Sequence, residues 1–89
     1  MTISKRAQYT GRVQGVGFRY TAQHLADGFP ITGYVRNLAN GNVELVAQGE
    51  ASPVEAFLEA IAKRMAQYIR ATTVVDESPG NYQGFEIRH

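Results

Sequence analysis

The sequence predicts an α+β fold in which two helices lie on one face of an antiparallel sheet. Three observations carry this reading. Several short runs alternate apolar and polar residues, two longer stretches repeat their apolar residues at helical spacing, and the two patterns follow one another as β-α-β-β-α-β with one more short strand at the end.

From Lys5 to Val13, Ala7, Tyr9, Gly11 and Val13 alternate with Arg6, Gln8, Thr10 and Arg12, the period of a half-buried strand. Gln14 to Gly17 is a loop with two glycines. Beyond it Phe18, Ala22, Leu25 and Ala26 fall on one helical face, and Gly28 and Pro30 stop the helix. Ile31 to Leu38 reads as a second strand. Asn40-Gly41 is the favoured pair for a tight hairpin turn, since both residues tolerate positive φ, and Asn42 to Gly49 then returns antiparallel. Ser52-Pro53-Val54-Glu55 reads as a helix start, with Ser52 as cap, Pro53 in the first position and Glu55 completing a capping box. Val54, Phe57, Leu58, Ile61, Met65 and Tyr68 form its apolar stripe, with Glu59 and Lys63 paired outside. Thr72 to Asp76 is rich in β-branched residues and reads as a fourth strand. Ser78 to Asn81 is a turn, and Tyr82 to Arg88 a short final strand. The simplest packing of this order is the ferredoxin-like sandwich.

Size and composition bound the function. With 89 residues the chain is expected to form a single domain over residues 1–89. Hydrophobic residues at 44% and charged residues at 19% describe an ordinary globular protein. Charged residues interrupt every apolar stretch, so no transmembrane helix is expected, and Met1 to Ala7 has no apolar run to make a signal peptide. Cysteine is absent, which removes disulfides, thiolate nucleophiles and cysteine metal sites, and a cytoplasmic location is the natural expectation. A net charge of +1 supplies no long basic patch for nucleic acid. Any anion must be captured locally.

The loop after the first strand is suited to that. In a split βαβ unit strands one and two run parallel with strand three between them, so their C-terminal ends lie together, roughly 10 Å apart at about 4.8 Å per strand. One end carries Gly15, Gly17 and Arg19, the other Asn37. The glycines allow positive φ and close approach of a ligand, so the amides from Gln14 through Gly15, Val16, Gly17 and Phe18 to Arg19 can turn inward as a nest at a helix N-terminus. Arg19 offers a planar fork for two phosphate oxygens, and Asn37 a donor and an acceptor to orient a water. Each feature also has a plainer explanation. Glycines at such junctions commonly serve the turn, a first-turn arginine is commonly a solvated charge, and Asn37 can simply begin the hairpin.

Other motifs do not fit. Gly17-Phe18-Arg19 lacks the Gly-Lys-Ser/Thr of a Walker loop, and Tyr20 stands where a dinucleotide fingerprint needs its third glycine. His24 and His89 are too few for a metal site, with His24 read as lying on a helix surface. No Ser-His-Asp set is apparent by placement. The stretch Asn42 to Ala47 of the third strand lacks the aromatics of an RNA-binding sheet, and Tyr9 reads as core.

Gly11-Arg12-Val13-Gln14-Gly15-Val16-Gly17-Phe18-Arg19 and Gly33-Tyr34-Val35-Arg36-Asn37, with Gly41-Asn42-Val43-Glu44, resemble the two signatures of the acylphosphatase family. The resemblance runs over nearly the whole chain, to Phe85-Glu86-Ile87-Arg88. It implies hydrolysis of the carboxyl-phosphate bond of small acyl phosphates, without metal or cofactor. It further implies that Arg19 binds the phosphoryl group and Asn37 positions the attacking water, on a ferredoxin-like sheet of order 4-1-3-2 with the last strand added at an edge. The chain departs from the family pattern in three places. No Gly-Pro follows the second helix, Tyr34 replaces a common Trp, and His89 stands where an aromatic is frequent. A monomer with no nucleic-acid or membrane partner is the expectation. The alternatives are a non-catalytic anion-binding module and a carbamoyl-phosphate-processing domain of the same fold.

Overall fold

A computed structural model describes all residues from Met1 to His89. Its elements are β1 (Thr2–Gly11), α1 (Phe18–Ala26), β2 (Thr32–Asn37), β3 (Val43–Glu50), α2 (Ala51–Arg64), β4 (Ile69–Glu77) and β5 (Phe85–Arg88). They form one sheet of order β4-β1-β3-β2-β5, the ferredoxin-like arrangement with a strand added at one edge. The first four strands pair antiparallel, whereas β5 runs parallel to β2, which makes the whole sheet mixed.

The helices cover one face because the strands alternate. Ala7 and Tyr9 of β1, Val35 of β2, and Val43, Leu45 and Ala47 of β3 point to that side and are buried. Phe18, Ala22 and Ala26 of α1 and Val54, Phe57 and Ile61 of α2 close over them. The Phe57 ring lies 5.3 Å from that of Phe85, so the core reaches the added strand. On the helix-free face the segment from Ser78 to Gly84 crosses between the two sheet edges. Gln48 holds it there, donating to the Gly80 carbonyl at 2.9 Å and accepting from its amide at 2.8 Å. Tyr82 packs on Tyr34 at 5.9 Å, and the Arg88 guanidinium lies 4.1 Å above the Tyr34 ring.

Several local expectations change. The second helix begins at Ala51, with Glu50 as its N-cap and no side-chain cap, so the Ser52–Glu55 capping box does not form. Glu50 leaves β3 in extended conformation and the chain enters the helix directly, which puts Ser52 inside the first turn. That helix ends at Arg64, so Met65 reaches the core from the cap and Tyr68 is half-buried in the turn beyond it. The turn closes through Tyr68 N–H to the Met65 carbonyl at 2.9 Å, and β4 starts at Ile69, three residues before Thr72. The hairpin is the tight turn expected between Leu38 and Asn42. The Gly41 amide donates to Leu38 at 3.1 Å and the Leu38 amide to Asn42 at 2.8 Å, so three residues make the loop. Only Gly41 has positive φ, while Asn40 uses its Oδ1 to accept from the Asn42 amide. The outer pair Glu59–Lys63 forms at 3.0 Å. No helix is long and apolar enough to cross a membrane.

Two positions test the packing. At Gly33, with φ 143°, a Cβ would sit 1.8 Å from the Val46 carbonyl oxygen, on the backbone of the central strand. Gly33→Ala is expected to cost about 3 kcal/mol or more. Ser4 is the opposite case, with a buried hydroxyl that has no hydrogen-bond partner. Ser4→Ala is expected to leave stability unchanged or raise it by about 1 kcal/mol. Urea denaturation of the two variants beside the wild type checks both.

Candidate active site

The loop from β1 to α1 is pinned at both ends. Val13 is fully buried, and Phe18, the first residue of α1, packs its ring 5.0 Å from that of Tyr9. Between these anchors Gly15 and Gly17 both take φ of 78°, and open space faces each where a Cβ would stand. Backbone conformation therefore selects glycine here, and the space in front of the backbone stays free for a ligand.

The consequence is a run of unpaired donors. The backbone N–H groups of Gln14, Gly15, Val16, Gly17, Phe18 and Arg19 donate to no atom of the chain. Gly17 caps α1 without a side chain to satisfy the helix's first amides, and no acidic residue stands in the first turn. Such a concave set of amides at a helix N-terminus attracts an anion. Arg19 adds the charge. It is half-buried and forms no ion pair with any carboxylate, so its guanidinium is not neutralised from within the chain.

Asn37 comes from the other side. It pairs with Val43 of β3, and Tyr9 pairs with the same Val43 from the opposite flank. The two outer strands thus deliver their C-terminal ends to one place, and Asn37 shares the helix-covered face with buried Val43. Its side-chain amide is half-buried, and no atom of the chain takes a hydrogen bond from it. A cleft of about 170 Å³ lies between the loop and this strand end, lined by Gly15, Gly17, Phe18, Arg19 and Asn37, with Val13 behind and Tyr20 at its side. Gln14 and Val16 do not line it with their side chains. Val16 packs against the core, and Gln14 turns toward the hairpin.

The sequence points only to the Gln14 backbone amide, and the turn of its side chain has no local signature. Its Nε2 donates to the Leu38 carbonyl at 2.8 Å and to the Asn42 carbonyl at 2.9 Å. The loop is thereby tied to the hairpin that follows Asn37. His89 carries no site signal in the sequence either, yet its Nδ1 lies 3.2 Å from Arg19 Nη1. Nothing local foretells a contact between residues 70 positions apart. The helix-free face of the sheet carries a separate polar cluster, in which Tyr34 donates to Glu44 at 2.9 Å beside the Arg36–Glu44 pair at 2.8 Å. Burial, with the neighbouring Glu44, pushes the Tyr34 hydroxyl up to about 12, so it remains a donor throughout the neutral range.

Fold and cleft together define a small ferredoxin-like α+β protein with an anion-receptive cleft where β1 and β2 end on either side of β3. The family model for acylphosphatase matches residues 5–87. An acylphosphatase of Methanospirillum hungatei JF-1 is 41% identical over 81 residues, covering 89% of each chain. Another, from Acaryochloris marina, is 37% identical over 86 residues, covering 96% of this chain and 92% of that one. The crystal structure of the acylphosphatase from Bacillus subtilis superposes with a TM-score of 0.87 at 32% identity, over 100% of both chains. The chain belongs to the acylphosphatase family, and with it to the enzymes that hydrolyse acyl phosphates.

Gln14→Ala removes both bonds to the hairpin carbonyls. A loss of about 1–2 kcal/mol in urea denaturation is the expected result. Amide hydrogen exchange should speed up in residues 38–42 with β4 unaffected.

Proposed function

We propose that Arg19 and the loop amides from Gln14 to Arg19 hold the phosphoryl group of the acyl phosphate, and that Asn37 orients the water that attacks it. One observation supports this above the others. The unpaired amides, an arginine with no carboxylate partner and an unengaged carboxamide all border a single cleft.

The chemistry asks little more of the protein. Water oxygen bonds to phosphorus as the bond from phosphorus to the acyl oxygen breaks, and a carboxylate departs with that electron pair. A carboxylate is a good leaving group, so positioning and stabilisation of charge on the phosphoryl oxygens carry the rate. The amides and the guanidinium supply that stabilisation. No carboxylate lines the cleft, and the nearby imidazole of His89 is engaged with Arg19 rather than Asn37, so the water's proton passes to the bound phosphoryl group and leaves as part of inorganic phosphate. Asn37 serves the water through its acceptor and donor at any neutral pH.

The positive charge facing the phosphoryl group comes from Arg19 and the helix terminus, so the reading is of a metal-independent enzyme. Both sides of the cleft come from one chain, which favours a monomer of one acylphosphatase-like domain. A cytoplasmic location completes the proposal.

Substitution separates the two roles. Arg19→Ala should lower kcat/KM for acetyl phosphate by at least about 10³ and abolish competitive inhibition by inorganic phosphate. Asn37→Ala should lower kcat by about 10² or more while inhibition by phosphate persists within a factor of about three. Unchanged kcat in Asn37→Ala would remove it from the mechanism. Wild-type turnover should be the same with and without EDTA, and a loss on chelation would overturn the metal-independent reading.

A further inference from the structure

The parallel pairing of β5 with β2 brings a second residue to the site. Arg88 pairs with Arg36, so His89 arrives next to the register position of Asn37, on the same end of the sheet. Its side chain emerges on the face opposite to that of Arg88, toward α1, where Nδ1 stands 3.2 Å from Arg19 Nη1. One turn along the helix Gln23 Nε2 contacts the Phe85 carbonyl at 3.5 Å, so α1 lies along β5 in a fixed orientation. The imidazole contact is the only hydrogen bond that the Arg19 side chain makes within the chain.

A guanidinium has donors and no acceptor. Nδ1 must therefore accept, which requires a neutral ring with its proton on Nε2. A protonated ring has no acceptor to offer, and the contact is lost. From this we infer that His89 is a positioning residue for Arg19. Neutral, it holds one guanidinium N–H and competes with an incoming oxyanion for it. Protonated, it releases that donor and turns a second positive charge toward the same anion. This rests on the assignment of Arg19 as the phosphate ligand.

Arg19 is the charged residue facing the His89 ring from α1, whose other titratable groups are the exposed Tyr20 and, in the last turn, His24. On β5, Glu86 and Arg88 point to the far face and pair with each other at 3.0 Å. On β2, Arg36 is turned to that far face and held by Glu44 at 2.8 Å. Proton uptake by His89 thus favours the anion-bound state, and affinity rises as pH falls.

Sulfate is the probe of choice because it stays a dianion across the range where an imidazole titrates, about pH 5 to 8. Calorimetric titration of the full chain with sulfate should show wild-type binding about fivefold tighter at pH 5.5 than at pH 8. His89→Asn keeps an acceptor that does not titrate, so its affinity should be flat with pH and match the wild type at pH 8. His89→Ala should also be flat but tighter than His89→Asn, since nothing then competes for Arg19. Equal pH dependence in wild type and His89→Asn, with binding abolished by Arg19→Ala, overturns the role of His89 and leaves the anion site standing. Sulfate binding that survives Arg19→Ala, or is absent from the wild type at both pH values, overturns the site reading along with it.

Discussion

The register of three strands around Val43 sets where everything at the cleft lies. Val43 is fully buried and pairs on one side with Tyr9 and on the other with Asn37. Tyr9 in turn supports Phe18 and so fixes the start of α1, while Asn37 ends β2 at the same level. Strand side chains alternate faces, so a slip of one residue in the β2–β3 pairing would send Asn37 to the helix-free face and Val35 out of the core. Burial of Val35, Val43 and Leu45 opposes that slip. The same apolar contacts that stabilise the sheet therefore hold the two halves of the site at a constant separation.

Within that frame the loop combines a rigid outline with an unsatisfied interior. Val13 and Phe18 are buried at its ends, and Gln14 clamps it to the hairpin. The six amides between Gln14 and Arg19 are left without partners in the chain. Unpaired donors are costly where water cannot reach them, which confines such a nest to the open end of the sheet. Preorganised donors of this kind need no rearrangement when charge develops on a ligand.

The added strand gives the molecule more than an extra edge. Chain order places β4 and β5 at opposite sides of the sheet, so the connection must cross a face, and the helices already occupy one. It crosses the other, where Gln48 and Tyr34 receive it. The outcome is a parallel strand beside β2 that carries His89, the residue after it, to Arg19.

The sequence by itself determined the order of elements, the sandwich, the family and the residues of the loop, because alternation, helical spacing and the two glycine-containing signatures are local patterns. It also indicated that Asn37 joins Arg19, since a split βαβ unit leaves no other place for the end of β2. Local signals misled where two elements abut. The Ser52-Pro53-Val54-Glu55 run resembles a cap, but β3 passes into α2 with no intervening turn, and the helix starts at Ala51. Asn40-Gly41 does make the tight turn its residues favour, a three-residue loop with Gln14 bonded to the Leu38 and Asn42 carbonyls. Only the tertiary structure decided that Gln14 clamps the hairpin and that His89 reaches Arg19. Both contacts join residues far apart in the chain, and they exist because packing of the sheet and α1 closes distances that no local pattern encodes.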